Sequence, residues 1–99
     1  MIHGALMHAE DDDVAVVIQD VAAGDEVRAV SLDGKEVGVI TAVEDIPLGH
    51  KIAIRPMSEG KEVIKYGRAI GLTRTEIGVG AHVHTQNVRS IRWETSVDE

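Results

Sequence analysis

The sequence predicts a mainly β domain, a compact clip or small barrel of short strands with at most one or two short helical turns. Three observations carry that reading. Val and Ile together supply 24 residues, against 4 Leu and no Phe. Branched side chains fit a pleated surface and are restricted in helices. Turn signals recur about every ten residues, the spacing of a small all-β fold. A seven-residue unit (apolar, two variable, Gly, two variable, apolar) occurs four times, at residues 21–27, 46–52, 57–63 and 77–83. Glycine reaches φ > 0 without a steric penalty, so each unit reads as a tight turn that launches a strand.

The elements follow in order. Residues 2–7 form a first strand, Asp11-Asp12-Asp13 a turn, and 14–18 a second strand that is apolar on both faces. After the first glycine turn, 27–32 is a third strand. Asp33-Gly34 reads as a two-residue hairpin loop, and 36–43 returns as its partner. Pro47 opens the turn before 50–55, where Ile52 and Ile54 share one face and Lys51, Ala53 and Arg55 the other. Residues 62–66 form a further strand ending at Gly67. The spacing over 72–77 supports a single helical turn. Residues 82–88 alternate as a strand, with His82, His84 and Gln86 on one side. One domain covers 1–93, and 94–99 is an acidic polar tail.

Composition narrows the function. There is no cysteine, hence no disulfide, thiolate metal site or thiol nucleophile. No signal-peptide pattern or membrane-length apolar run is visible, so a cytoplasmic location and no membrane partner are expected. A formal net charge of −7 argues against a nucleic-acid partner, which needs a basic footprint. Yet Lys51, Arg55, Lys61, Lys65, Arg68 and Arg74 gather in mid-chain, beside the histidines. That local basic surface suits a small anion. With one Trp and one Tyr as its only large rings, the core is small. Burial against a partner would help it, whether a second subunit or a homo-oligomer of the isolated chain.

The chemistry-bearing residues are few. His50 and His82 each fall in a variable position of the repeat, where a turn requires no imidazole. His82-Val83-His84 places two imidazoles on one face of a strand, where they can share a divalent cation or grip a carboxylate. A full metal site needs a third ligand, His8 or His50. Gly49-His50-Lys51 sets an imidazole beside an ammonium, a pair suited to a carboxylate and to proton transfer. Lys65-Tyr66-Gly67 ends a strand with two donors. No triad order and no phosphate-binding glycine fingerprint is present. The chain reads as half of a site.

Taken in order, Asp45-Ile46-Pro47-Leu48-Gly49-His50-Lys51, Ile64-Lys65-Tyr66-Gly67-Arg68-Ala69-Ile70-Gly71 and His82-Val83-His84-Thr85-Gln86-Asn87 resemble the N-terminal domain of the altronate and galactarate dehydratases. That domain belongs to the SAF superfamily, which has a β-clip fold. The resemblance runs from about His8 to Val88. It departs at Gln86, where altronate dehydratases tend to carry a third histidine. It departs again after His8, where one extra residue is present and Asp13 stands for an Asn. The larger departure is length, because those dehydratases carry a much larger catalytic region after this domain. Met1 and the acidic tail favour a natural small subunit over an excised fragment, as in (2R)-sulfolactate sulfo-lyase.

The resemblance implies β-elimination of water or sulfite from a small 2-hydroxy acid. It implies a large catalytic partner subunit and a divalent metal such as iron, shared with that partner. It assigns catalysis to His50, Lys51 and Tyr66, substrate binding to His8, Lys65 and Asn87, and metal contact to His82 and His84. A stand-alone SAF ligand-binding or accessory module is the alternative.

Overall fold

A computed structural model describes residues 2–9, 11–65 and 67–90, with backbone alone at 2 and 3. The described residues form nine strands: β1 (Ile2–Met7), β2 (Val14–Val17), β3 (Glu26–Ser31), β4 (Glu36–Thr41), β5 (Lys51–Ala53), β6 (Glu62–Lys65), β7 (Arg68–Thr73), β8 (His82–Val83) and β9 (Val88–Ser90). One sheet has the order β4-β3-β1-β2-β5-β8 and the other β6-β7-β9. β1 and β3 run parallel, whereas every other strand pair is antiparallel.

The repeat is the building rule of the fold. In every copy the residue after the glycine donates to the carbonyl three positions back: Asp25 to Ala22, His50 to Pro47, Lys61 to Ser58 and Ala81 to Gly78. The glycines have φ of 94°, 84°, 81° and 89°. That geometry is a type II turn, whose third residue needs φ > 0. The copies then pair off. Val21 bridges Ile46, and Met57 bridges Ile77. Val21, Val27, Ile46 and Ile52 sit in one apolar cluster, and Met57, Val63, Ile77 and Val83 in a second. Copies one and two therefore close one half-core, and copies three and four the other. Each such buried aliphatic side chain contributes roughly 1.5–3 kcal/mol. Antiparallel pairing of β5 with β8 joins copy two to copy four across the halves.

Four expectations from the sequence are corrected. Residues 72–77 form no helical turn, because Leu72 and Thr73 complete β7, the central strand of the small sheet. The run 82–88 is not one strand: β8 stops at Val83, residues 84–87 turn, and Val88 starts β9. His50 precedes β5 instead of opening it. The hairpin loop holds three residues, Leu32 to Gly34, closed by the Ser31 amide donating to the Lys35 carbonyl. Gly34 has φ 88°, as three-residue hairpins require. Tyr66, Trp93 and the tail 94–99 lie outside the described residues.

A buried carboxylate ties the turn before β2 to the second half. Asp13 is 5% exposed. Its Oδ2 accepts from Lys61 Nζ at 2.6 Å and from the Ile64 amide at 2.8 Å, and Arg55 lies 3.8 Å from Oδ1. Asp13→Ala leaves the Ile64 amide and Lys61 without that acceptor and is expected to lower stability by about 2–3 kcal/mol. Asp13→Asn retains an acceptor for the amide and should cost about 1 kcal/mol. Urea denaturation of the two variants checks the order, and equal losses would show that only the charge matters.

Candidate functional site: a three-histidine cluster

The β5–β8 pairing brings the histidines of copies two and four together. A hydrogen bond of 2.8 Å links His50 Nδ1 and His82 Nε2. The His84 ring stacks on His50 with centroids 4.2 Å apart, and the His82 and His84 centroids are 5.6 Å apart. One nitrogen from each ring lies within 4.8 Å of the others. His50 and His82 are half-buried and His84 is exposed, so the cluster is open on one side.

His82 and His84 meet by a route the sequence did not suggest. They are held by a turn, not by strand alternation. Asn87 Oδ1 accepts from the His84 amide at 3.0 Å, and its Nδ2 donates to the His82 carbonyl at 2.8 Å. Both ends of the Asn87 amide thus hold the histidine turn, which makes Asn87 a positioning residue in this geometry. Gln86 Nε2 donates to His82 Nδ1 at 3.3 Å. The tautomers of the two rings decide which nitrogen donates in the His50–His82 contact, and a ring that ligates an ion through one nitrogen carries its proton on the other. Glu44 was not singled out in the sequence, and no local pattern marks it. Its Oε2 accepts from the His82 amide at 3.0 Å.

Burial lowers the His82 pKa from its ordinary value, and the neighbouring His50 and His84 lower it further against the opposing pull of Glu44. A neutral imidazole is the form that accepts hydrogen bonds and ligates metals. The donor set fits a divalent ion. Three imidazoles suit zinc, ferrous iron and their neighbours and leave coordination positions open. At metal–nitrogen distances near 2.1 Å, tetrahedral donors stand about 3.4 Å apart, so the 2.8 Å His50–His82 contact would widen and nitrogens as far as 4.8 Å apart would close on the ion.

The other expected residues separate by location. Lys51 and His84 line one cavity of about 140 Å³, together with Ile70, Val83 and Val88. His8 and Lys65 line another of about 250 Å³. Lys61 and Arg55 are engaged with Asp13 instead. A depression of about 430 Å³ lies at the bridge between copies one and two and holds Asp20, Asp25 and Asp45. All three carboxylates there accept from turn amides, of Leu48, Ala22 and Ala23. Turn capping accounts for those three carboxylates.

A family model described as the altronate/galactarate dehydratase SAF domain matches residues 3–91. The (2R)-sulfolactate sulfo-lyase subunit alpha of Chromohalobacter salexigens is 38% identical over 89 residues, covering 89% of this chain and 95% of that protein. The subunit alpha of Paracoccus pantotrophus is 46% identical over 54 residues, 54% of this chain and 81% of that one. Altronate dehydratase of Escherichia coli is 42% identical over 79 residues, 80% of this chain but 15% of that enzyme.

Proposed function

This chain belongs to the family of altronate/galactarate dehydratase SAF domains, and on that premise we propose that it is the small subunit of a cytoplasmic hydroxy-acid lyase. With a large catalytic subunit it would eliminate water or sulfite from a 2-hydroxy acid. One observation carries the reading: the chain aligns with nearly the whole length of a sulfo-lyase subunit alpha, yet with only a 15% portion of an altronate dehydratase.

β-Elimination removes the proton alpha to a carboxylate while the group at C3 departs, and negative charge builds on the carboxylate. Groups aimed at that charge before it forms contribute most to the rate. His50 and Lys51 would supply an imidazole and an ammonium from adjoining positions for that charge. His50, His82 and His84 would hold a divalent ion such as iron, and Gln86 and Asn87 keep the rings in place. When bound, that ion supplies Lewis-acid stabilisation of the developing carboxylate charge. The large subunit would supply most of the proton-transferring groups.

The isolated chain should be folded and catalytically inert. Purified alone, it is expected to show a strand-rich circular dichroism spectrum. It should release no 2-keto acid from altronate, galactarate or sulfolactate, with or without added iron. Co-purified with the large subunit, it should turn over one of them. Robust turnover by the chain alone would sink the small-subunit reading, and a large subunit fully active without it would leave an accessory ligand-binding module.

A further inference from the structure

The large sheet is apolar on both sides along part of its width. Its inner side is closed: Ala5, Val17, Val27, Ala29 and Ile40 are all buried. Its outer side is open. Leu6 is in register with Val16 on β2 and Val30 on β3, and Arg28 with Gly4 on β1 and Val39 on β4. Residues in register, and residues two apart on a strand, share a face. Leu6, Val16, Val30 and Val39 therefore look outward together. Ile18 joins them, because a Cβ at Gly4 would lie 3.0 Å from its Cδ1. Leu32 lines one cavity with Leu6 and Val16. Among the described residues seven large apolar side chains are exposed, and four of them gather here: Leu6 (44%), Ile18 (51%), Leu32 (58%) and Val39 (47%).

The solvated side of an antiparallel sheet ordinarily carries polar residues. Here β2 is apolar in both directions, a property its sequence already shows from Val14 to Ile18. Four half-exposed side chains of this size make a patch of the order of several hundred Å², which on a small monomer marks a contact surface.

Size, charge and position choose the occupant. The patch is smaller than the roughly 800 Å² that each side of a stable interface buries, so the contact extends beyond it. On one flank Arg28 and Glu36 pair at 3.5 Å and form a polar rim. On the other, Val16 stands opposite Lys51, two strand spacings or about 10 Å from Leu6. Lys51 follows His50 in the chain and lines a cavity with His84. A contact of standard size centred on the patch thus extends to the histidine cluster. A second copy of the chain is disfavoured, because each copy carries a formal charge of −7 and the two repel. A copy also brings none of the catalytic groups that this chain lacks.

We propose that the outer face of β1 to β4, centred on Leu6, Ile18 and Leu32, is the surface on which the large catalytic subunit docks. The contact that buries the patch also carries the partner's groups to the histidines. This rests on the small-subunit reading above and adds to it the place of contact and its chemistry, an apolar centre with a polar rim.

The chain has no cysteine, so thiol labelling of single-cysteine variants is specific when read as the mass of this chain. Ile18→Cys, Leu32→Cys and Val39→Cys should label rapidly in the isolated chain. With the large subunit bound, all three are expected to label about tenfold or more slowly. Glu59→Cys, at the exposed tip of the third turn, should keep its rate. Ile18→Asp and Leu32→Asp should each weaken association about thirtyfold or more, with the circular dichroism of the isolated variants unchanged. A complex that forms while the three thiols stay reactive, or that protects them no more than Glu59→Cys, removes this docking face and leaves the small-subunit reading standing. Failure of the two unmodified subunits to associate removes both. Labelling of the isolated chain that slows as its concentration rises gives the face to a second copy and overturns the proposal. Slow labelling at every concentration means that the chain covers the face itself, and overturns it equally.

Discussion

Gly80→Ala is expected to lower stability by more than about 3 kcal/mol, whereas Gly24→Ala, at the same place in another copy of the repeat, should cost about 1–2 kcal/mol. The two glycines have nearly the same backbone, with φ of 89° and 94°. An alanine at either carries the left-handed penalty. They differ in surroundings. A Cβ at Gly24 meets nothing within 4 Å, while one at Gly80 would overlap the carbonyl oxygen of Thr41. That oxygen belongs to backbone that cannot rotate away. Thr41 ends β4 in register with Glu26, and the Val43 amide donates to the Gly80 carbonyl at 3.0 Å. Relief requires the fourth turn to pull off the first half, and His82 starts β8 two residues later. Gly80→Ala should therefore loosen the histidine cluster as well as the fold. Thermal and urea unfolding of the two variants decide it, and similar losses would mean that the turn does not sit against Thr41.

The repeat was legible because its requirements are local: a glycine at φ > 0 and apolar residues at fixed distances from it. That pattern located all eight buried anchors. It could not reveal which copies pair, because the Val21–Ile46 and Met57–Ile77 bridges join residues 25 and 20 positions apart. The parallel pairing of β1 with β3 is hidden for the same reason. β7 itself was not announced by the sequence, and Gly71 lies inside it because the chain must pass close by: a Cβ there would stand 2.6 Å from the Arg89 carbonyl oxygen. The alternation over 82–88 misled differently. Its polar and apolar residues fit a strand, but the Asn87 side chain offers the His84 amide a local partner and turns the chain.

The site was legible in residue type and only partly in arrangement. His50, His82 and His84 stood out because turns and short strands do not need imidazoles. Their meeting depends on β5–β8 register, with Ile52 opposite His82, and no periodicity encodes that. The basic residues read as one surface divide in space. Lys61 and Arg55 serve Asp13, while Lys51 and Lys65 each line a separate cavity. Sequence distance could not separate these roles, because Lys61 and Lys65 are only four residues apart on one segment.

In the assembled enzyme, His50→Ala is expected to reduce turnover about 100- to 10,000-fold while changing domain stability by no more than about 1 kcal/mol. The two effects separate because the backbone and the ring at this position do different work. The His50 amide donates to Pro47 and its carbonyl accepts from Val17, and alanine preserves both. The ring makes one hydrogen bond, to His82, and stacks on the exposed His84, so its removal opens no core cavity. What is lost is the imidazole next in sequence to Lys51, the ring partner of His82, and one of the three imidazoles that would hold the ion. Gln86→Leu should cost less, since it frees the His82 ring without deleting a donor. A domain that unfolds on His50→Ala, or an enzyme that keeps near-normal turnover, would make His50 a structural ring and move the reaction elsewhere in the assembly.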